Sequence, residues 1–145
     1  MTLMTNLDWC DIKHFKPSEF SEPNKMDYHF INRLDKFREM VDKPIIIHSS
    51  YRNDPKSKHY EGIAVDMHIV GVDLMDMFLL AEKSDLFKGI GVYPNWNNAG
   101  LHIDMRRTEA RWGCWTPTGV KNKEYVALNS AFWEKYYREK QNESN

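Results

Sequence analysis

Cysteine is nearly absent from this chain of 145 residues: Cys10 and Cys114 are the only two, far apart and outside any CxxC spacing. Two thiols can close at most one bridge, so a disulfide framework is excluded, and both are expected to be free. An excess of one charge is lacking too. Twenty Lys and Arg against twenty-one Asp and Glu leave a formal charge of −1. The two signs interleave along the predicted helices, which is the pattern of a solvated surface and not of a nucleic-acid face. No apolar run is long enough to span a bilayer, and the Met1–Asp8 segment has no basic stretch followed by an apolar one. These absences predict a chain that stays in the cytoplasm as synthesised, with no membrane span and no nucleic-acid partner. Repeats and low-complexity linkers are missing as well, so one domain over residues 1–145 is expected, as a monomer.

What is present is a globular composition, 41% apolar and 13% aromatic, with five Trp. Lys16–Phe20 reads as a helical turn with Pro17 near its start. Asn24 is a candidate cap for a helix from Lys25 to about Val41, whose Met26, Phe30, Leu34, Phe37 and Val41 make one apolar stripe. Pro44–Ser50 is short and β-branched, predicting a buried strand. Further strands are expected at Gly62–Ile69, Gly89–Tyr93 and Leu101–Arg106. Helices are expected over Val72–Lys83, capped by Asp73, and roughly Lys123–Arg138, with a fraying polar tail. The order predicts an α+β fold, a small antiparallel sheet packed against helices.

Chemistry concentrates in Ser57-Lys58-His59-Tyr60-Glu61-Gly62-Ile63-Ala64-Val65-Asp66. Strand alternation places Ala64, Asp66 and His68 on one face, with small Ala64 leaving room beside the carboxylate. An imidazole and a carboxylate form a partial set for a catalytic zinc, which takes three protein ligands and keeps one position open. The same alternation sends His102 and Asp104 to one face of an otherwise apolar strand, where burial without partners would be costly. His48 and His68 read as core groups or supports of the site, and His14 and His29 as surface groups. Met67, Met75 and Met77 read as core filler.

The SxHxxGxAxD stretch followed by HxD resembles the D-Ala-D-Ala metallopeptidase family of zinc enzymes. Supporting segments occur in the same order: His14-Phe15-Lys16-Pro17-Ser18-Glu19-Phe20, Ser49-Ser50-Tyr51-Arg52, Gly91-Val92-Tyr93-Pro94 and Arg111-Trp112. The likeness runs from about residue 13 to 113. It implies Zn2+ held by His59, Asp66 and His102, with Ser57, Arg52 and Tyr51 meeting substrate and Arg52 steadying charge in the transition state. The implied substrate is a peptidoglycan stem peptide, cut by a D,D-carboxypeptidase or an endopeptidase of the phage endolysin kind. Many relatives carry Glu or Asp three residues before the last zinc histidine; here that position is Ala99, leaving Asp104 as the candidate base. Hedgehog domains share a similar stretch and offer a second register, in which Asp104 is the ligand and His102 a relay. A catalytically silent metal-binding module and a cytoplasmic D-Ala-D-Ala dipeptidase are the alternatives to a wall hydrolase.

Overall fold

In a computed structural model, which describes residues 1–143, four helices lie against a six-stranded sheet, an α+β arrangement. The helices are α1 (Asn6–Cys10), α2 (Tyr28–Val41), α3 (Leu74–Ser84) and α4 (Ser130–Glu143). The strands are β1 (Ile45–Ser49), β2 (Ala64–Ile69), β3 (Gly89–Tyr93), β4 (Gly100–Asp104), β5 (Ala110–Cys114) and β6 (Tyr125–Val126), in spatial order β1-β2-β4-β3-β5-β6. All neighbours are antiparallel except β3 and β5.

Local chemistry explains most boundaries. Thr5 and Asp8 form a reciprocal capping box on α1, and Asp73 caps α3 by accepting from the Met75 N–H. The helix expected from Lys25 instead starts at Tyr28. Pro23–Lys25 closes a separate 3₁₀ turn, and the buried Asp27 takes the capping role by accepting from the Phe30 N–H. Gly62 has φ +70° and sits against the Lys25 carbonyl, where a Cβ would come within 2.2 Å of the oxygen, so this crossing requires glycine. The final helix begins at Ser130, not Lys123; Tyr125 and Val126 pair with β5 first. The Ser144–Asn145 part of the expected frayed tail lies outside the described residues.

The sheet has two unlike faces. Val65, Met67 and Ile69 of β2, Leu101 and Ile103 of β4, and Ile90 and Val92 of β3 point into the apolar core. Phe30, Leu34 and Phe37 of α2 and Leu74, Met77 and Ala81 of α3 complete that core, with Phe87 edge-on to Phe37. α4 joins the same side: Phe132 packs where a Gly113 Cβ would lie, and Trp133 meets Phe78. Met67 and Met77 are core residues as expected, while Met75 is only half-buried. The opposite face carries Ala64, Asp66 and His68, then His102 and Asp104, then Gly89, Gly91 and Tyr93, in register across three strands. β1 is an edge strand and not the buried one expected: Ile46, paired with His68, is 46% exposed. Both cysteines are free, Cys10 at the surface and Cys114 buried. Among the described residues, no helix is long and apolar enough to cross a membrane.

Candidate metal centre

Three elements bring the ligands together. Asp66 and His102 are paired neighbours on the central strands β2 and β4. His59 arrives from the turn before β2, whose backbone is tied down by Tyr60 N–H to the Ser57 carbonyl and Gly62 N–H to the His59 carbonyl. The candidate ligand atoms of His59, Asp66 and His102 lie within 4.8 Å of one another, and all three residues are buried. The two imidazole rings are 5.1 Å apart between centroids.

The hydrogen bonds set the tautomers. His59 Nδ1 lies 2.6 Å from the Ser50 carbonyl oxygen, which can only accept, so Nδ1 carries the proton. In the neutral ring, the form a metal takes, Nε2 is then the lone-pair nitrogen. This atom is buried, stands 3.2 Å from Asp66 Oδ1, and has no hydrogen-bond partner among the described residues. A buried polar atom left unpaired is costly unless something fills the place. On the other side, His102 Nε2 donates to Asp104 Oδ2 at 2.8 Å, which aims Nδ1 at Asp66 Oδ1, 3.0 Å away. Two imidazole nitrogens and a carboxylate converge on one point, each histidine fixed from behind by an oxygen. That is the donor set and the supporting geometry that zinc-type sites use, and the residues fit the ion.

The electrostatics agree. Burial alone would raise the Asp66 carboxyl, but the His102 and His59 imidazoles outweigh it and hold the group well below the usual carboxylate range. Burial would lower His102, yet Asp104 and Asp66 reverse this and push it above its ordinary value. A cation in this place would do the work that the extra proton on His102 otherwise does.

Asp104 is fully buried and fully occupied. Besides His102, Arg106 donates to it from Nε, Nη2 and the backbone N–H, at 2.6 to 3.1 Å. Burial would raise its pKa, but His102 and Arg106 depress it strongly. Arg106 in turn lies over the Trp112 ring, 4.8 Å from its centroid. Gly89 and Gly91 are what make room for this layer. A Cβ at Gly89 would strike the Asp104 carboxylate, and one at Gly91 the Trp112 indole.

The ligands open into a cleft of about 350 Å³ that Arg52, Ser57, Tyr93, Trp112, Lys123 and Tyr125 help to line. Arg52 Nη2 stands 3.8 Å from Asp66 Oδ2. Ser57 Oγ accepts the His59 backbone N–H at 3.1 Å. Tyr51 is not brought in: its ring lies by Tyr60 and under Lys25, outside the cleft lining. A second cavity of about 440 Å³, lined by His48, Trp96, Asn97 and Thr118, shares Arg52, Asp66, Trp96 and Lys123 with the first. His48 therefore walls the groove, with His68 beside it, and neither supports the ligands; among the described residues each ring is hydrogen-bonded only to the other. Tyr93 and Trp112 belong to the supporting segments Gly91-Val92-Tyr93-Pro94 and Arg111-Trp112, which assign them no role, and Lys123 carries no motif; the alternating glycines of Gly89-Ile90-Gly91 signal bulky side chains crossing that strand. Neither models of known protein families nor curated proteins yield a match to this chain.

Proposed function

We propose that the chain is a zinc-dependent peptidase acting on the stem peptides of bacterial peptidoglycan. The observation that carries this reading is the orphaned Nε2 of His59, aimed with His102 and Asp66 at one point on the floor of an open cleft. Zinc held there supplies Lewis acidity for polarising an amide and for activating water near neutral pH. The chain's own groups do the rest. Arg52 is exposed at the cleft wall and suits a carboxylate or a developing oxyanion. Ser57 Oγ accepts from the backbone, which leaves its hydrogen for the substrate. Tyr93 is placed likewise: its oxygen accepts the Trp112 indole N–H at 2.9 Å, and burial raises its pKa, so it keeps a proton to donate. Lys56, Lys58 and Lys123 join Arg52 in a basic lining that favours an anionic peptide. The groove continues past the ligands into the second cavity, which suits a peptide longer than a free dipeptide.

In this reading Asp104 holds His102 and does not act as the base. Its oxygens already serve four donors, and its depressed pKa makes it a poor proton acceptor. The same geometry favours His102 over Asp104 as the ligand. One observation supports a second reading, a metal-binding module without catalysis: among the described residues, Asp66 is the only carboxylate lining the cleft. Zinc-loaded protein incubated with purified cell walls of several chemotypes decides between them. New amino groups, absent with His59→Ala, are expected; bound zinc without new amines establishes the silent module.

A further inference from the structure

We infer that His48 and His68 form a second binding site, for a late first-row divalent cation, on the wall of the groove beside Asp66. The two histidines sit on adjacent strands, β1 and β2, whose register pairs Ile46 with His68. Their rings meet across the strands, His48 Nε2 standing 2.6 Å from His68 Nδ1 with centroids 4.8 Å apart. Strand alternation puts His68 on the same face as Asp66, and His48 and Asp66 line the same cavity. Trp96 closes over His48 edge-on at 5.7 Å.

Neither imidazole has another hydrogen-bond partner among the described residues, so the pairing serves no wider network. Two nitrogens bound to one ion at about 2.0–2.1 Å would stand roughly 2.9–3.3 Å apart. The present spacing reaches that with a small rotation of His48, which is exposed on an edge strand. Two imidazoles with the remaining positions left to water suit Cu2+, Ni2+ or Zn2+ and are poor for Mg2+ or Ca2+. The absence of a third protein ligand makes this site weaker than the one at His59, Asp66 and His102, and open to an anionic ligand in the groove.

The test is copper binding to protein already loaded with one equivalent of zinc, followed by electron paramagnetic resonance. The wild type is expected to take up one further equivalent, with nitrogen hyperfine structure from two imidazoles. His48→Gln and His68→Gln should each lose it while keeping the first zinc, which also reports that the fold survives. His59→Ala should lose the first site and keep the second, so failure of either site is read separately. Saturation of the wild type at one metal would overturn the inference. So would a second equivalent that persists unchanged in the His48→Gln/His68→Gln double variant.

Discussion

His59 and His102 are each held from behind by one oxygen, with the His59 Nε2 left unpartnered beside Asp66, whereas the rings of His48 and His68, nearer the sheet edge, are hydrogen-bonded to each other. In the first pair a carbonyl and a carboxylate fix the rings from behind, at 2.6 and 2.8 Å, and the free nitrogens face Asp66. In the second the geometry rests on a single imidazole–imidazole contact at an edge strand. Both pairs join neighbouring segments of one sheet face, so fold alone does not separate them. What separates them is support: a buried, oriented donor set gives tight binding, and an exposed pair gives a labile one.

The comparison breaks first at the ligands. His59→Ala should abolish tight zinc retention and lower any hydrolytic rate by about a thousandfold or more, while His48→Gln leaves both within a few-fold; metal analysis after dialysis and amine release check this. Weakening the support without touching the ligands is the next step. Asp104→Asn keeps the shape but loses the charge behind His102, and zinc affinity should fall by about 10–100-fold, read by competition with a chelator. His48→Gln should not change that affinity.

Protonation sharpens the contrast further. His102 is held above its ordinary pKa in the metal-free protein, and zinc binding must displace that proton. Affinity should therefore rise with pH until the raised value is passed and level off above it. Calorimetry in buffers of different ionisation enthalpy should show proton release on zinc binding that grows as the pH is lowered. The smallest structural effect belongs to Arg52→Ala. Its side chain is exposed, so stability should move by no more than about 0.5 kcal/mol while turnover of an anionic peptide falls.

The central sheet was readable because its strands alternate: Ala64, Asp66 and His68 against Val65 and Met67, and His102 and Asp104 against Leu101 and Ile103. That alternation, with the turn at Gly62, offered His59 and Asp66 as a partial donor set and His102 with Asp104 on a second strand. Only the resemblance joined His59, Asp66 and His102 into one candidate set, and the register of β2 with β4 brings the three together. It could not show that Asp104 is sealed under Arg106, since that depends on Gly89 and Gly91 letting a side-chain layer cross β3. β5 escaped notice because Ala110-Arg111-Trp112-Gly113-Cys114 neither alternates cleanly nor carries β-branched residues. Its pairing, parallel to β3, is a long-range event. The late start of α4 has a similar origin: Tyr125–Val126 is drawn into a strand by β5, against its local pattern. His48 and His68 were placed in the core or behind the ligands because sequence separation hides a cross-strand contact.

The most direct measurement is anomalous diffraction at the zinc edge from crystals grown with zinc. A peak about 2.0–2.2 Å from His59 Nε2, an Asp66 oxygen and His102 Nδ1 is the predicted result. A zinc ion held by Asp104 in place of His102, or no ion among these side chains at saturating zinc, would contradict it.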